Sequence, residues 1–223
     1  MKLKSIFFSI LFLNAGFSYA QKDGRIIISD TSKTSISDKA RGYYNDAYDY
    51  FDKGNFKKAI VLYKLAIAED PDFIDAYDNL GLAFRQLDLG DSAEHYYLIS
   101  LQKYPNGYTA NQNLAIVEEL RNNFEKALSY YKKLITLEAE NPEGYYGASR
   151  MQFSLGNLEE ALKNGLLAEK YYTQINSPYI GDCYYILCII SYNNKDLPLA
   201  KKYLALCKKA GIPVDKKIEN ALE

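Results

Sequence analysis

Few side chains in this chain of 223 residues could carry catalysis or bind a metal by the usual routes, since it has one histidine and three cysteines. A zinc site with several histidines is excluded, and a histidine-based catalytic pair could use only His95. No serine or cysteine nucleophile is placed near His95, and no CxxC, HExxH or glycine-rich phosphate motif is present. We predict a protein that is not an enzyme and that needs no cofactor, with His95 at the surface or half-buried.

Four aspartates around Pro71 could suggest a metal site: Asp70, Asp72, Asp75 and Asp78. Their spacing lacks the glycine and the terminal glutamate of a calcium-binding loop. We therefore predict that they cap a helix or lie on a solvated face, and no metal site is expected. Metal binding is the alternative interpretation.

The three cysteines are concentrated near the C-terminus. In a helix pair that turns near Asn194, Cys183 and Cys207 would stand at mirrored heights. A disulfide between them is one possibility for an exported protein, and free thiols are the other, because spacing alone does not set the Cβ geometry. Cys188 stands at a small-residue position and is predicted to be buried packing.

The first twenty residues have the three parts of a secretory signal peptide. Lys2 and Lys4 give a positive start, residues 6–13 form an apolar run too short to span a bilayer, and Ala20 ends a small-residue cleavage site. We predict cleavage after Ala20, export to the periplasm and no membrane span in the mature chain. An uncleaved amphipathic anchor is the alternative. Residues 21–37, rich in Ser, Thr, Asp and Lys, predict a flexible linker.

An alanine recurs along the chain at a period typical of repeat proteins. Successive copies are 34, 34, 34 and 39 residues apart: Ala59, Ala93, Ala127, Ala161 and Ala200. Many of the 22 tyrosines follow the same period. They stand four residues after or sixteen residues before these alanines: Tyr63, Tyr97 and Tyr131, and Tyr43, Tyr77, Tyr145 and Tyr184.

The second copy reads Tyr77-x2-Leu80-Gly81-x2-Phe84, followed by Ala93-x3-Tyr97 and Pro105. This pattern resembles the tetratricopeptide repeat, with tyrosine in the places of tryptophan and phenylalanine. The resemblance covers about residues 38–214. It implies an all-α fold, a right-handed α-solenoid of about five helix hairpins with a C-terminal capping helix, in which stacking buries a continuous core.

The predicted organisation follows the repeat period. After the signal peptide (1–20) and the linker (21–37) come a repeat array and a capping helix at 215–223. The array (38–214) divides into repeats at 40–73, 74–107, 108–141, 142–180 and 181–214. The predicted turns within the hairpins are Gly54-Asn55, Gly90-Asp91, Asn122-Asn123, Gly156-Asn157 and Asn193-Asn194.

Departures from the period predict local changes. Ala139 replaces the expected proline and Pro142 follows, which predicts that this helix boundary slips by nearly one turn. Five extra residues are placed within 172–181, with Ser177 and Pro178 starting the next helix. Asp215 is predicted to cap a last helix that buries Ile218, Ala221 and Leu222.

By family resemblance, the first helix of each hairpin lines an inner groove where ligands bind. Asn45, Asn79 and Asn113 are 34 residues apart and form one row, which resembles the asparagine ladder of some peptide-binding arrays. Such amides can pair with any peptide backbone, but asparagine at this position can equally serve local structure. The remaining candidate binding residues are aromatic or cationic: Tyr44, Tyr48, Phe51, Arg85, Tyr146, Arg150, Phe153, Tyr185 and Tyr192.

The partner class is a protein or an extended peptide. A formal charge of -1 gives no basic field for nucleic acid. The family's clamp for a terminal carboxylate uses Lys and Arg, and Tyr44 and Tyr48 replace them in the first repeat, so that activity is not expected. The leading hypothesis is a peptide-binding adaptor. The alternative is a scaffold or self-associating subunit of a cell-envelope complex, and the sequence leaves the oligomeric state open.

Overall fold

The computed structural model describes residues 36–223, which form helices and turns without a strand in that range. The signal peptide and nearly all of the linker lie outside the described residues. The all-α prediction is confirmed. The helices are α1 (Asp38–Asp52), α2 (Phe56–Glu69), α3 (Ile74–Gln86), α4 (Gly90–Lys103), α5 (Tyr108–Leu120), α6 (Phe124–Leu137), α7 (Pro142–Ser154), α8 (Leu158–Gln174), α9 (Ile180–Asn193), α10 (Leu197–Ala210) and α11 (Lys216–Leu222).

Consecutive helices pair into hairpins, from α1 with α2 to α9 with α10, and each hairpin packs on the next. The first helices α3, α5 and α7 begin at Ile74, Tyr108 and Pro142, which are 34 residues apart. The predicted slip before Pro142 is therefore wrong. Asn141 caps α7 through its side chain, and proline fits at the first helical position because its missing N–H would have no helical partner there.

The turn inside each hairpin contains one residue in the left-handed region, at the same repeat position. These residues have φ between 60° and 80°: Gly54, Asp88, Asn122, Gly156 and Lys195. Three predicted turns agree with this position. The second and fifth are displaced, because Gly90 already begins α4 and Asn193 still belongs to α9. The left-handed turn, rather than the glycine, marks the hairpin bend.

Small residues and tyrosine rings build the core as the period predicted. All five repeat alanines are fully buried, as are Tyr63 and Tyr97. A Cβ atom on Gly81 would lie 2.6 Å from the ring of Tyr97, so this close helix contact requires glycine. Packing of small against large residues therefore fixes the distance between the helices of each hairpin.

The insertion between the fourth and fifth copies lies where the sequence placed it, but the helix start differs. Helix α8 has 17 residues, whereas α6 has 14, and a longer connection follows. Helix α9 begins at Ile180, two residues after Pro178. The buried Ser177 hydroxyl instead accepts the Tyr179 amide at 3.2 Å inside the connection. Extending α8 by about one turn accommodates most of the extra chain.

The cysteines of the last hairpin are three free, buried thiols. Cys183 donates to the carbonyl of Gly165 at 3.4 Å, and Cys188 donates to that of Ala200 at 3.6 Å. The structure thus has the free-thiol alternative rather than the Cys183–Cys207 bridge. The buried position predicted for Cys188 is confirmed.

The C-terminal helix covers the last hairpin. The Asp215 side chain accepts the Lys217 amide at 2.7 Å and caps α11 as predicted. Ile218 and Leu222 are buried against α10, whereas Ala221 is exposed and was wrongly placed on the packed face. The apolar side of α11 therefore packs on α10, and its polar residues face outward at the end of the array, as in the terminal caps of repeat proteins.

Candidate functional site

The first helices of successive hairpins lie side by side along one surface, since α3 contacts α5 and α7 contacts α9. We call this surface the groove. It consists of the faces of α1, α3, α5, α7 and α9 that are not used in hairpin packing. On α3, Ala76, Leu80 and Ala83 pack towards the first hairpin. Helical spacing then directs Asp75 and Leu82 into the groove.

The first predicted groove tyrosine is a core residue. Tyr44 is fully buried, and its ring centroid lies 4.8 Å from that of Phe73 and 5.6 Å from that of Tyr63. Its neighbour Tyr43 is only half-buried, with Lys39 over its ring. The repeat period placed Tyr43 at a packing position, and Tyr44 was predicted in the groove. The structure reverses these two environments, since Tyr44 is in the core and Tyr43 is half-buried. The reason is that the Tyr44 position faces the next hairpin.

The other candidates in α1 are half-buried. Phe51 makes an edge contact with Phe56, with ring centroids 5.1 Å apart. Tyr48 and Asn45 have intermediate exposure. This part of the groove combines aromatic surface with an amide.

The asparagine row is used mostly inside the protein. Asn79 donates from Nδ2 to the Tyr44 hydroxyl at 2.6 Å and so ties the first two hairpins together. Asn113 is buried and donates to the Thr109 carbonyl of its own helix at 3.0 Å. For Asn113 the structure thus has the local-structure alternative to the peptide-binding ladder. The row ends at Gly147 because a Cβ atom there would overlap the ring of Tyr131.

The aspartates around Pro71 divide into two kinds. Asp70, at the end of α2, accepts a hydrogen bond from the Asp72 amide. Asp72 forms an ion pair with Lys103 at the surface, with 2.7 Å between Nζ and Oδ1. Asp78, in contrast, is only 6% exposed, so its assignment to a cap or a solvated face is wrong. Burial raises its pKa to about 7, a nearby Ser100 hydroxyl lowers it and Asp75 raises it further. Within residues 36–223 no group of acidic, histidine or cysteine side chains could hold a metal ion.

Arg85 stands near the C-terminal end of α3. It lies beside Tyr97, whose pKa is raised by burial and partly lowered again by the Arg85 charge. A cleft of about 470 Å³ opens next to Arg85 between the second and third hairpins, with Leu89, Leu120 and Arg121 in its wall. Arg85 therefore lies between the groove and the edge of the array where the turns inside the hairpins are found.

An ion pair divides the groove in the middle. Glu119 of α5 pairs with Arg150 of α7 and also accepts the Tyr131 hydroxyl at 3.0 Å. The Arg150 guanidinium lies 5.4 Å from the ring centroid of Tyr146. Burial lowers the pKa of Arg150 to about 10, which still leaves the guanidinium charged at neutral pH. Arg150 is therefore a link between hairpins as well as a groove residue.

The C-terminal part of the groove is aromatic. The rings of Tyr146, Phe153, Tyr185 and Tyr192 are partly buried against the last core cluster. Two carboxylates lie among them, and burial raises the pKa of both Glu143 and Asp182. Glu143 accepts the Tyr172 hydroxyl at 2.8 Å. The structure thus brings the predicted aromatic residues of the fourth and fifth repeats together, and adds two acids.

One polar cluster escaped sequence reasoning. Glu118 is fully buried and accepts hydrogen bonds from Asn123, Lys126 and Arg121, while Arg121 and Lys126 also pair with Glu94 of α4. The signal was a carboxylate in the apolar repeat position that holds Phe84 in the second copy. This cluster joins the second and third hairpins at the turn edge, outside the groove.

His95, the histidine considered above for a catalytic pair, lies at the surface. His95 is exposed and contacts the ring of Tyr96 edge-on, with centroids 5.1 Å apart. Its predicted place at the surface is confirmed. Among residues 36–223, no helix combines the length and the apolar character needed to cross a membrane.

Comparison with protein families gives two matched segments. Residues 47–88 match a model described as TPR repeat, and residues 113–174 match a model described as tetratricopeptide repeat. The Protein CTR9 homolog of Arabidopsis thaliana is 30% identical over 122 residues. That match spans 52% of this chain and only 11% of the plant protein.

Solved structures share the fold. MamA from Desulfovibrio magneticus RS-1 superposes with a TM-score of 0.70 at 16% identity, over 79% of this chain and 97% of that chain. YrrB, described as a TPR protein with an unusual peptide-binding site, superposes with a TM-score of 0.61 at 17% identity, over 75% of this chain and 84% of that chain. At these identities the matches show the fold alone.

Proposed function

We propose that this chain, a member of the tetratricopeptide-repeat family, is a non-catalytic interaction module that binds an extended peptide or protein segment in its groove. Related folds are protein-interaction modules, and YrrB is described as having a peptide-binding site. Repeat stacking gives the groove a length suited to an extended chain rather than to a small molecule.

The observation that carries this proposal is the aromatic half of the groove. Phe153 and Tyr192 stand at equivalent positions of successive hairpins, and both keep part of their rings exposed. Large rings that are half-buried and fixed by packing lose little conformational entropy on binding, so they are typical anchors of interfaces. The adjacent polar half adds hydrogen-bonding groups that could orient a backbone.

The test is a binding measurement with matched double variants. Partners recovered with the wild-type protein would be titrated against Phe153→Ala/Tyr192→Ala and against Leu98→Ala/Tyr104→Ala, which removes exposed apolar area outside the groove. The groove variant is expected to lose at least about tenfold in affinity while the control stays near wild type. Equal affinity of both variants and wild type, with intact thermal melting, would contradict groove binding.

We also propose that the protein is exported to the periplasm. The support is the basic start, short apolar run and small-residue site of residues 1–20. Mass spectrometry of the protein from its own cells should give a chain that begins at Gln21. A chain that keeps residues 1–20 and stays in the cytoplasm would contradict export.

A second candidate is a self-associating scaffold. Val61 and Leu65 on α2 and Leu98 on α4 are exposed apolar side chains away from the groove. Exposed apolar patches mark contact surfaces. Light scattering across a concentration series tests the scaffold, because self-association should raise the mass with concentration and Val61→Ser/Leu65→Ser should reverse it. A mass that stays that of a monomer at all concentrations would contradict the scaffold.

A further inference from the structure

The outer surface of the last hairpin carries a concentration of positive charge. Residues 195–217 contain seven lysines, two acids and no arginine, whereas the whole chain has a formal net charge of -1. Helix α10 has four lysines and no acid. The second helices of the other hairpins, α2, α4, α6 and α8, each contain at least one acid. The last hairpin therefore differs from the others because the charge of its outer helix has one sign only.

Helix geometry gathers these lysines on one side of α10. The side that packs in the hairpin is defined by the buried residues of the helix: Ala200, Tyr203, Leu204 and Cys207. Lys201 and Lys208 are seven residues apart, as are Lys202 and Lys209, and seven residues are about two helical turns. All four lysines are exposed. They form one strip along the outer side of the helix.

Helix α11 extends this strip. Nζ of Lys208 lies 2.8 Å from a carboxylate oxygen of Glu219 and 2.7 Å from one of Glu223, so this side of α11 adjoins the outer side of α10. Lys216 stands three residues before Glu219 and therefore on the same side of α11, and it is exposed. We call these side chains the lysine face: Lys201, Lys202, Lys208, Lys209 and Lys216.

Most of the charge on the lysine face is not neutralised by the protein. Among residues 36–223, Lys208 is the one member of this face that forms an ion pair. Lys202 lies over the Tyr203 ring, 4.7 Å from its centroid, and such a contact leaves the charge in place. An anion that approaches this surface therefore meets several ammonium groups without a carboxylate beside them.

The stability of the two helices does not account for this charge. Lys208 and Lys209 lie in the last turn of α10, where a cation is favoured by the helix dipole. Lys201 lies in the second turn, where the dipole offers a cation little. Lys216 is the first residue of α11, where the dipole disfavours a cation. The lysine face thus carries more positive charge than its helices require.

The type of cation indicates the kind of anion. Arg41, Arg121 and Arg150 form ion pairs with particular carboxylates of the protein. A planar guanidinium group suits such fixed contacts, whereas a lysine ammonium group is a mobile, strongly hydrated point charge. A strip of lysines on the outside of a helix therefore suits a surface of spread negative charge. Anionic phospholipid headgroups form such a surface, and each lysine near it adds to the attraction.

We propose that the lysine face holds the protein against the surface of a membrane that contains anionic phospholipids. The contact is electrostatic and peripheral, so it needs no segment that enters the bilayer. The lysine face lies on a second helix and the groove on the first helices, so the groove stays open while the protein is on the membrane. This inference goes beyond peptide binding and is independent of it.

The test is sedimentation of the full chain with vesicles. One kind contains phosphatidylcholine alone, and the other contains phosphatidylcholine mixed with anionic phosphatidylglycerol. The lysine-face variant is Lys202→Gln/Lys209→Gln. The matched control is Lys57→Gln/Lys64→Gln, which removes two exposed lysines with the same seven-residue spacing from α2.

The two variants are alike in other respects. Lys64 lies over the Phe84 ring as Lys202 lies over a tyrosine ring, so each variant loses one cation–ring contact. Both keep residues 1–20, so any contribution of that segment to vesicle binding is the same in both. Circular dichroism checks folding, and Lys201→Gln/Lys209→Gln replaces the lysine-face variant if that one is unfolded.

The wild-type protein is expected to bind the phosphatidylglycerol vesicles at least about tenfold more tightly than the phosphatidylcholine vesicles, with the preference reduced by salt. The lysine-face variant should lose at least about tenfold in affinity for the phosphatidylglycerol vesicles, because two of the attracting charges are gone. The control should stay near wild type.

Three results would overturn the proposal. The first is equal binding to the two kinds of vesicle, or binding to neither. The second is an equal loss in the lysine-face and control variants, which would assign the attraction to overall charge. The third is tighter binding of a polyglutamate peptide or a single-stranded oligonucleotide than of vesicles at the same concentration of anionic groups, which would assign the face to acidic protein or nucleic acid. Groove binding is tested separately by Phe153→Ala/Tyr192→Ala and is untouched by these results.

Discussion

The two halves of the groove use equivalent repeat positions for different chemistry. In the N-terminal half one repeat position is occupied by Tyr44 and, 34 residues later, by Asp78. Polar groups there form hydrogen bonds between hairpins, as Asn79 does with Tyr44. In the C-terminal half the same position holds Tyr146 and Tyr185, and aromatic rings dominate. The repeat therefore sets where a side chain lies, while its identity decides whether it holds hairpins together or is offered to a partner.

The largest effect is expected at Gly147 in the C-terminal half, which packs directly against a tyrosine ring. Gly147→Ala should destabilise the protein by about 1–3 kcal/mol, because its Cβ atom overlaps the Tyr131 ring. Gly42→Ala in α1 has open space around the new methyl group and should stabilise by about 0.5–1 kcal/mol. Urea unfolding of both variants checks this, and a Gly147→Ala protein as stable as wild type would contradict the close contact between Gly147 and the Tyr131 ring.

The N-terminal half should respond to pH through Asp78. Its pKa is raised by burial from 3.8 to about 7, so the folded state binds the proton more tightly than the unfolded state. The free energy of unfolding from this group therefore falls as pH rises from about 4 to 7. The groups that face it are Ser100, Asp75, Tyr44 and Tyr97.

Asp78→Asn removes this dependence. The variant should gain stability relative to wild type as pH increases, and the gain should level off above pH 7. Glu143 and Asp182 remain in both proteins, so the difference between the two melting curves isolates Asp78. A difference that is flat from pH 4 to 8 would contradict a buried Asp78 carboxyl with a raised pKa.

The smallest effect concerns the hairpin turns. Lys195 has φ of 61°, where a side chain costs more than glycine does. Lys195→Gly should stabilise by about 0.5–1 kcal/mol, and Gly156→Ala at the equivalent turn should destabilise by a similar amount. Thermal melts of both variants measure this, and destabilisation by Lys195→Gly would mean that its side chain makes a contact worth more than the strain.

Sequence reasoning predicted the helices and core well because alanine, glycine and tyrosine recur at fixed packing positions. Gly81 and Tyr97, with Ala93 nearby in the sequence, specify one close contact between two helices. The other copies make the equivalent contact with partly different residues. It failed where a side chain is set by the neighbouring hairpin, as for Tyr44 and Asp78. The period gives the face of a helix, but the depth of burial depends on what the next hairpin places against it.

The proposal of a peptide-binding groove is tested most directly by site-specific photo-crosslinking in the native cells. A crosslinking amino acid would replace Tyr192 in the groove, and Val61 or Tyr104 outside it. The account predicts a discrete crosslinked partner from Tyr192, absent from the other two positions and lost with Phe153→Ala. Crosslinks from Val61 but none from Tyr192 would contradict groove binding and favour the scaffold.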